Sequence, residues 1–145
     1  MAVDGIGMNK ALLITGLSLL TISCSPQSAA ELRSHYDQYT SFEVSAPYET
    51  VYQRVYEKAK LNFNGGFMGS RCRVERGLFA QRKTANVSMY METAVRNTML
   101  LTIDISRISD DRTRVDVYRV HDAFAEKFAR EVPNWAASDQ TQDSL

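Results

Sequence analysis

The feature that most constrains the fold of this chain is a change of apolar period near residue 65. Apolar side chains recur at alternating spacings of three and four along one segment: Tyr48, Val51, Tyr52, Val55, Tyr56 and Ala59. That spacing is the period of an amphipathic α-helix. Asn64, Gly65 and Gly66 favour turns, so we expect the helix to end near Phe63. Beyond the turn the period becomes two, which predicts strands.

The strand pattern continues for most of the remaining chain. Alternating segments separated by turn residues cover 71–75, 77–82, 87–92, 98–108 and 113–120, and the first two are predicted to form one strand kinked at Gly77. Phe42 and Val44 indicate a short strand before the helix, which Pro47 suits as a first-turn residue. The sequence therefore predicts an antiparallel sheet.

A second helix is predicted near the end of the chain. Asp122 is a suitable N-cap, and Phe124, Phe128 and Val132 share one helical face before Pro133, where we expect the helix to stop. Trp135 is expected to fold back on the same core.

The order strand, long helix, strands, shorter helix predicts the fold class. Both helices need a surface for their apolar stripes, and the sheet offers one apolar face. We therefore expect a two-layer α+β domain over 41–137, in which a long and a shorter helix pack on one face of an antiparallel sheet of four to five strands. Residues 138–145 are polar and are predicted to be disordered.

Two sequence segments in this order resemble a known domain type. They are F-E-V-S-A-P-Y-E-T-V-Y-Q-R-V at 42–55 and T-R-V-D-V-Y at 113–118. The pattern resembles the helix-grip domains of the barrel-assembly lipoprotein BamC, and it is also similar to small uncharacterised bacterial lipoproteins. The resemblance implies a helix-grip-like fold, with room for one domain where BamC carries two, and it transfers no functional residue.

The first 24 residues have the pattern of an export signal. Lys10 gives a positive start, residues 11–22 are nearly uncharged and apolar, and Ser23 is a small residue before Cys24. This pattern resembles the lipobox of bacterial lipoproteins. The resemblance implies that a signal peptide, 1–23, is removed, that Cys24 carries lipid such as palmitate, and that 24–40 form a lipidated N-terminus and tether.

Two other interpretations of this segment stay open. An ordinary secretory signal could be cut near residues 28–30, where small residues also occur. A retained transmembrane helix is disfavoured because about 12 apolar residues fall short of the roughly 20 needed to cross a bilayer. Translation could also begin at Met8, since Asp4 is acidic where a signal is usually basic.

The lipoprotein resemblance also implies a location. Ser25, rather than Asp, follows the cysteine. We therefore expect sorting to the outer membrane, with the domain facing the periplasm.

The charge pattern indicates one candidate recognition surface. The chain has 17 basic and 17 acidic residues, so it offers no general attraction for nucleic acid. Residues 71–83 nevertheless carry a local excess of four positive charges. Arg73, Arg76, Arg82 and Lys83 are the candidate binding residues, for an acidic protein face, an acidic glycan or anionic lipid. Alternatively, these cations only keep a strand edge soluble.

Catalytic and metal motifs are missing from the sequence. It has no phosphate loop, Cys-x-x-Cys, H-E-x-x-H or G-x-S-x-G. Cys72, His121 and Asp122 could in principle form a nucleophilic or weak metal site, but capping and core burial explain them better. We expect no catalytic residues, no metal and no cofactor. If Cys24 carries lipid, Cys72 is left unpaired, and we expect it to be buried.

These observations predict a lipid-anchored envelope protein that acts as a non-catalytic binding or assembly module. Its partners would be the membrane, through the lipid, and another envelope protein or anionic envelope component. The alternative is a carrier or sensor of a small apolar ligand held between helix and sheet.

Lipidation gives the first test. In cells fed a labelled fatty acid, the wild-type chain is expected to take up label and the Cys24→Ala variant is not, because only the cysteine sulfur can form the thioether. Cys72→Ala, which keeps Cys24 and the whole signal, serves as the control for expression and for uptake of label. Equal labelling of the wild type and Cys24→Ala would contradict lipidation at this residue.

Overall fold

A computed structural model describes residues 25–63, 65 and 69–138. The predicted signal peptide, Cys24 and nearly all of the predicted tail lie outside the described residues.

The helices and strands of the described chain follow one another in the order α1, β1, α2, β2, β3, β4, β5 and α3. Their bounds are α1 Ala29–His35, β1 Gln38–Val44, α2 Tyr48–Asn62, β2 Arg71–Phe79, β3 Thr84–Glu92, β4 Asn97–Ser109, β5 Arg112–Arg119 and α3 Ala123–Ala137, with a 3-10 turn at Ala80–Arg82. None of the helices formed by the described residues has the length and apolar composition of a membrane span.

The strands form a five-stranded antiparallel sheet in the order β1-β5-β4-β3-β2. The longest strand, β4, is therefore central, while β1 and β2 are the two edges. Side chains in register across the sheet lie on the same face, and Ile103 of β4 pairs with Val87 of β3 and Val117 of β5. Such alternation gives the sheet one apolar face.

Helices α2 and α3 pack side by side on that apolar face. Val51, Val55 and Ala59 of α2 are fully buried. The helices run antiparallel, because the Phe63 ring lies 5.0 Å from the Phe128 ring while Arg54 Nη1 donates to Ala136 O over 3.3 Å. The predicted α+β fold, with two helices on one face of an antiparallel sheet, is confirmed.

The structure extends the last helix beyond the predicted end. Asp122 caps α3 as expected, since its carboxylate accepts from the N–H groups of Phe124 and Ala125. The helix does not stop at Pro133 but continues to Ala137, so it has 15 residues, the same as α2. Pro133 is exposed, and burial of Trp135 and Ala136 beyond it offsets the hydrogen bond that proline cannot make. The expectations of an early stop and of a shorter second helix were wrong.

The segment predicted as a tether is instead folded onto the domain. Helix α1 begins after Ser28, whose Oγ accepts from Glu31 N at 3.2 Å, and Leu32 of this helix is fully buried. Strand β1 then begins at Gln38, before the predicted boundary at residue 41. One buried leucine in seven residues gives no readable period, so the sequence does not reveal this helix.

Helix α1 lies on the sheet face opposite α2 and α3. Arg33 forms a two-point ion pair with Asp104, whose side chain alternates in β4 with the helix-facing Ile103 and Ile105. Pro26 O accepts from Met99 N at 2.8 Å, which fixes the chain entering α1 against the start of β4.

The docking of α1 can be tested by a cavity-forming substitution. Leu32→Ala is expected to lower the free energy of unfolding by about 2 kcal/mol or more, because a buried leucine loses its packing. The control is Ser34→Ala, an exposed change in the same helix. Urea unfolding followed by circular dichroism measures both. If residues 25–39 were a tether, the two variants would unfold like the wild type.

Candidate functional site

Strand β2 positions two of the four predicted binding residues, Arg73 and Arg76, at an edge of the sheet, and Arg82 and Lys83 follow in the 3-10 turn. The side chains of Arg71, Arg73, Arg76, Arg82 and Lys83 are all exposed. We call these five residues the basic edge. Strand alternation puts Arg71 and Arg73 on one face of the sheet and Arg76 on the other, so the five residues do not form one flat patch.

Arg73 lies on the face away from α2 and is neutralised there. Its Nη2 is 2.8 Å from Glu75 Oε1, and its Nε is 2.9 Å from Glu92 Oε1. The guanidinium carbon also lies 5.2 Å from the centre of the Tyr90 ring. Two carboxylates therefore balance its charge.

Arg76 projects to the helix side of the same strand. Its guanidinium carbon is 4.6 Å from the centre of the Tyr56 ring, a cation–π contact. Tyr56 in turn stacks on Tyr52 at 6.3 Å between centroids, and burial raises the pKa of Tyr52 although Arg76 acts in the opposite direction. The tyrosine stripe of α2 is thus largely core, with Tyr48 and Tyr52 buried and Tyr56 at the margin beneath Arg76.

Arg82 and Lys83 lie together at the far end of β2. Lys83 ends the 3-10 turn with φ 54°, a left-handed conformation uncommon for a residue with a side chain. Its backbone is fixed on both sides, because Lys83 N donates to Ala80 O and Lys83 O accepts from Arg107 N at 3.0 Å. The structure therefore brings Arg82 and Lys83 together and separates them from Arg73 and Arg76.

The backbone of β2 is open along part of its outer side. Cys72 N donates outward to Gly65 O at 3.1 Å. By the alternation of an antiparallel strand, Val74, Arg76 and Leu78 also direct their N–H and C=O groups outward. No described residue pairs with these groups.

The three residues considered for nucleophilic or metal chemistry are not assembled into a site. Cys72 is in β2 and His121 follows β5, so three strand spacings, about 14 Å, separate their strands. Asp122 is occupied as the α3 cap, and the His121 ring lies 5.5 Å from Tyr36. Burial raises the pKa of the half-buried Cys72 thiol, which disfavours the reactive thiolate. Among the described residues, no group of His, Cys, Asp or Glu could hold a metal.

A second surface, on the sheet face opposite α2, was not predicted. It is a cleft of about 310 Å³, and we call it the polar cleft. Its principal lining residues are Arg33, Phe79, Arg82, Asn86, Asp104 and Asp116. Polar residues alternate with apolar ones in β3, β4 and β5, and this pattern alone predicts a polar face of the sheet. That the face forms a cleft follows only from the register of the strands and the position of α1.

Comparisons with known proteins give only distant likenesses. No family model matches the chain, and no curated protein matches it. Among solved structures, the di-domain ARO/CYC StfQ from the steffimycin biosynthetic pathway is 19% identical with a TM-score of 0.41; the match covers 68% of this chain and 42% of that one. Protein CV1439 from Chromobacterium violaceum is 15% identical with a TM-score of 0.30, over 70% of this chain and 96% of that one. No function is transferred from either protein.

Proposed function

We propose that this chain is a non-catalytic binding module of the bacterial cell envelope, held at the outer membrane by lipid on Cys24. Its recognition surface is the basic edge, and its partner is an acidic extended protein segment. The observation that carries the proposal is the coincidence, on β2, of outward backbone groups without described partners and exposed cations on both faces.

Added-strand binding explains why the cations lie on both faces. A segment that pairs with β2 would use the outward groups of Val74, Arg76 and Leu78. Its own side chains would alternate between the two faces. Acidic residues on the helix side would meet Arg76, and those on the other side would meet Arg82 at the end of the strand. Such charge pairing would orient the acidic segment on β2 and would raise its rate of association as well as its affinity.

The chemistry of the described residues favours binding over catalysis. The strands that carry the Cys72 thiol and precede the His121 imidazole are about 14 Å apart, and Glu75 and Glu92 near the basic edge are paired with Arg73. The membrane anchor and the periplasmic location belong to the same proposal and depend on the N-terminal sequence pattern. The expectation of no cofactor depends instead on the missing sequence motifs.

A carrier of a small apolar ligand is the alternative function. It requires space between α2 and the sheet, where the facing side chains Val51, Val55 and Ile103 are fully buried. The polar cleft lies outside that layer, as does a second cleft of about 430 Å³ on the solvent side of α3. Saturable uptake of an apolar fluorescent probe by the full chain would favour the carrier.

The basic-edge proposal is tested by comparing two kinds of variant. Replacing Arg73, Arg76, Arg82 and Lys83 with Gln removes four of the five cations of the basic edge, whereas Leu78→Pro removes one outward N–H and leaves all five in place. Proline is tolerated on an edge strand whose N–H faces solvent. Both variants are expected to lose most crosslinked partner capture in intact envelopes, and added salt should weaken wild-type capture.

Matched controls separate recognition from solubility. Leu78→Ala keeps the N–H, and Arg96→Gln removes a cation from the turn between β3 and β4, so both should capture partner normally. Circular dichroism must show that every variant is folded. Unchanged capture by a Gln variant that aggregates more readily would contradict the proposal and support the solubilising interpretation.

A further inference from the structure

The polar cleft is built on a row of residues in register across four strands. Gly77 of β2 pairs with Asn86, Asn86 with Asp104, and Asp104 with Asp116. Neighbouring strands lie about 4.8 Å apart, so this row is about 14 Å long. The row lies on the opposite face of the sheet from α2 and α3. It is therefore separate from the outward backbone groups of β2 on which the proposed strand addition depends.

The two aspartates of the row, Asp104 and Asp116, repel each other, and neighbouring donors offset this repulsion. Like charges directly opposite one another in adjacent strands are destabilising. Arg33 grips Asp104 through two N–H groups. Asp116 Oδ1 accepts from Gln38 Nε2 and Ser41 Oγ, both at 2.6 Å, and from Arg114 Nε at 3.1 Å. Asp116 Oδ2 accepts from no described donor, so this fixed carboxylate keeps a free acceptor.

Gly77 lies beside the cleft, in register with Asn86, and a side chain at this position would force its neighbours to move. A Cβ at this position would overlap Asn86 Oδ1 and would lie 3.1–3.2 Å from two atoms of the Phe79 ring. The missing side chain therefore lets the Asn86 amide and the Phe79 ring lie over the strand. Phe79 is 50% exposed, which leaves part of an aromatic ring available to a ligand.

Several hydrogen-bonding groups that border the cleft have no partner among the described residues. They are the side chains of Arg82, Thr84, Asn86 and Ser106. Together with Asp116 Oδ2, they supply a cation, an amide, two hydroxyls and a carboxylate oxygen beside an exposed ring. A pocket with a few convergent polar groups of this kind fixes the orientation of a small ligand.

We propose that the polar cleft binds an anionic saccharide unit. The sugar ring lies against Phe79, its hydroxyls bond to Asn86 and Asp116, and its carboxylate or phosphate pairs with Arg82. An apolar ligand would leave these polar groups buried and unpaired. A bare inorganic anion would use none of the acceptors and would face Asp104 and Asp116. The volume of about 310 Å³ is small, which suits one or two sugar units.

Saturation-transfer NMR on the full chain tests this proposal with three probes: glucuronate, glucose and inorganic phosphate. Glucuronate is expected to bind about five- to tenfold more tightly than glucose, because one charge-assisted interaction distinguishes them. Phosphate alone should not displace glucose. Arg82→Gln should remove the preference for glucuronate while leaving glucose binding in place.

Two further variants decide whether the cleft itself is the site. Asn86→Ala removes the amide, and Gly77→Ala places a methyl group where the amide and the ring now lie; both should abolish saturation transfer to either sugar. Arg96→Gln, at a distant turn, is the charge-matched control and should bind like the wild type. Folding of each variant is checked by circular dichroism. If Gly77→Ala unfolds the β2 edge, the result with Asn86→Ala alone decides the test.

Sugar binding that survives Asn86→Ala, or equal affinity for glucuronate and glucose in the wild type, would overturn the proposal. Displacement of glucuronate by phosphate together with no detectable glucose binding would also overturn it, by showing a site for anions only. Arg82 belongs to both proposed surfaces, but Leu78→Pro affects only the strand edge and Asn86→Ala only the cleft. The two proposals therefore fail independently.

Discussion

The packing of α2 against the central strands is the interaction on which the rest of this structure depends. Val51, Val55 and Ala59 meet inward side chains of β3, β4 and β5, and α3 completes the layer through its contact with Phe63. Burial of each of the two valines contributes about 1.5–3 kcal/mol. With this face closed, the part of the opposite face that α1 leaves uncovered and the two edge strands remain for recognition.

The face opposite the helices has its own constraint, the juxtaposition of Asp104 and Asp116. Arg33 of helix α1 pairs with Asp104 and so offsets the repulsion between the two carboxylates. The same ion pair attaches α1 to the sheet. Gln38, Ser41 and Arg114 satisfy the second. The same contacts that stabilise the sheet thereby fix the acceptors of the polar cleft before any ligand arrives, which lowers the ordering cost of binding.

The sequence predicts the long periodic elements well and the contacts between them poorly. The stripe from Tyr48 to Ala59 marks α2, and the alternation in β4 marks its inward row, because each repeats over many residues. Helix α1 is too short to show a period, and the proline in α3 suggested a stop that tertiary burial of Trp135 overrides. Local rules fail at these places because distant residues decide the outcome.

The candidate sites show the same limit. The charge excess in 71–83 is visible in the sequence, but only the structure shows that Arg73 is paired with two glutamates while Arg76 projects to the other face. The row from Gly77 to Asp116 joins residues from four strands and depends on register, which no single segment encodes.

Site-specific photocrosslinking in intact envelopes tests the central claim, recognition through the β2 edge, most directly. A photoreactive residue at Gln81, exposed beside Arg82, is compared with one at Ser45, exposed at the end of the opposite edge strand. Our account predicts a discrete crosslinked partner from Gln81 that Leu78→Pro removes, and none from Ser45. Equal crosslinking from both positions, or a Gln81 product that persists with Leu78→Pro, would contradict it.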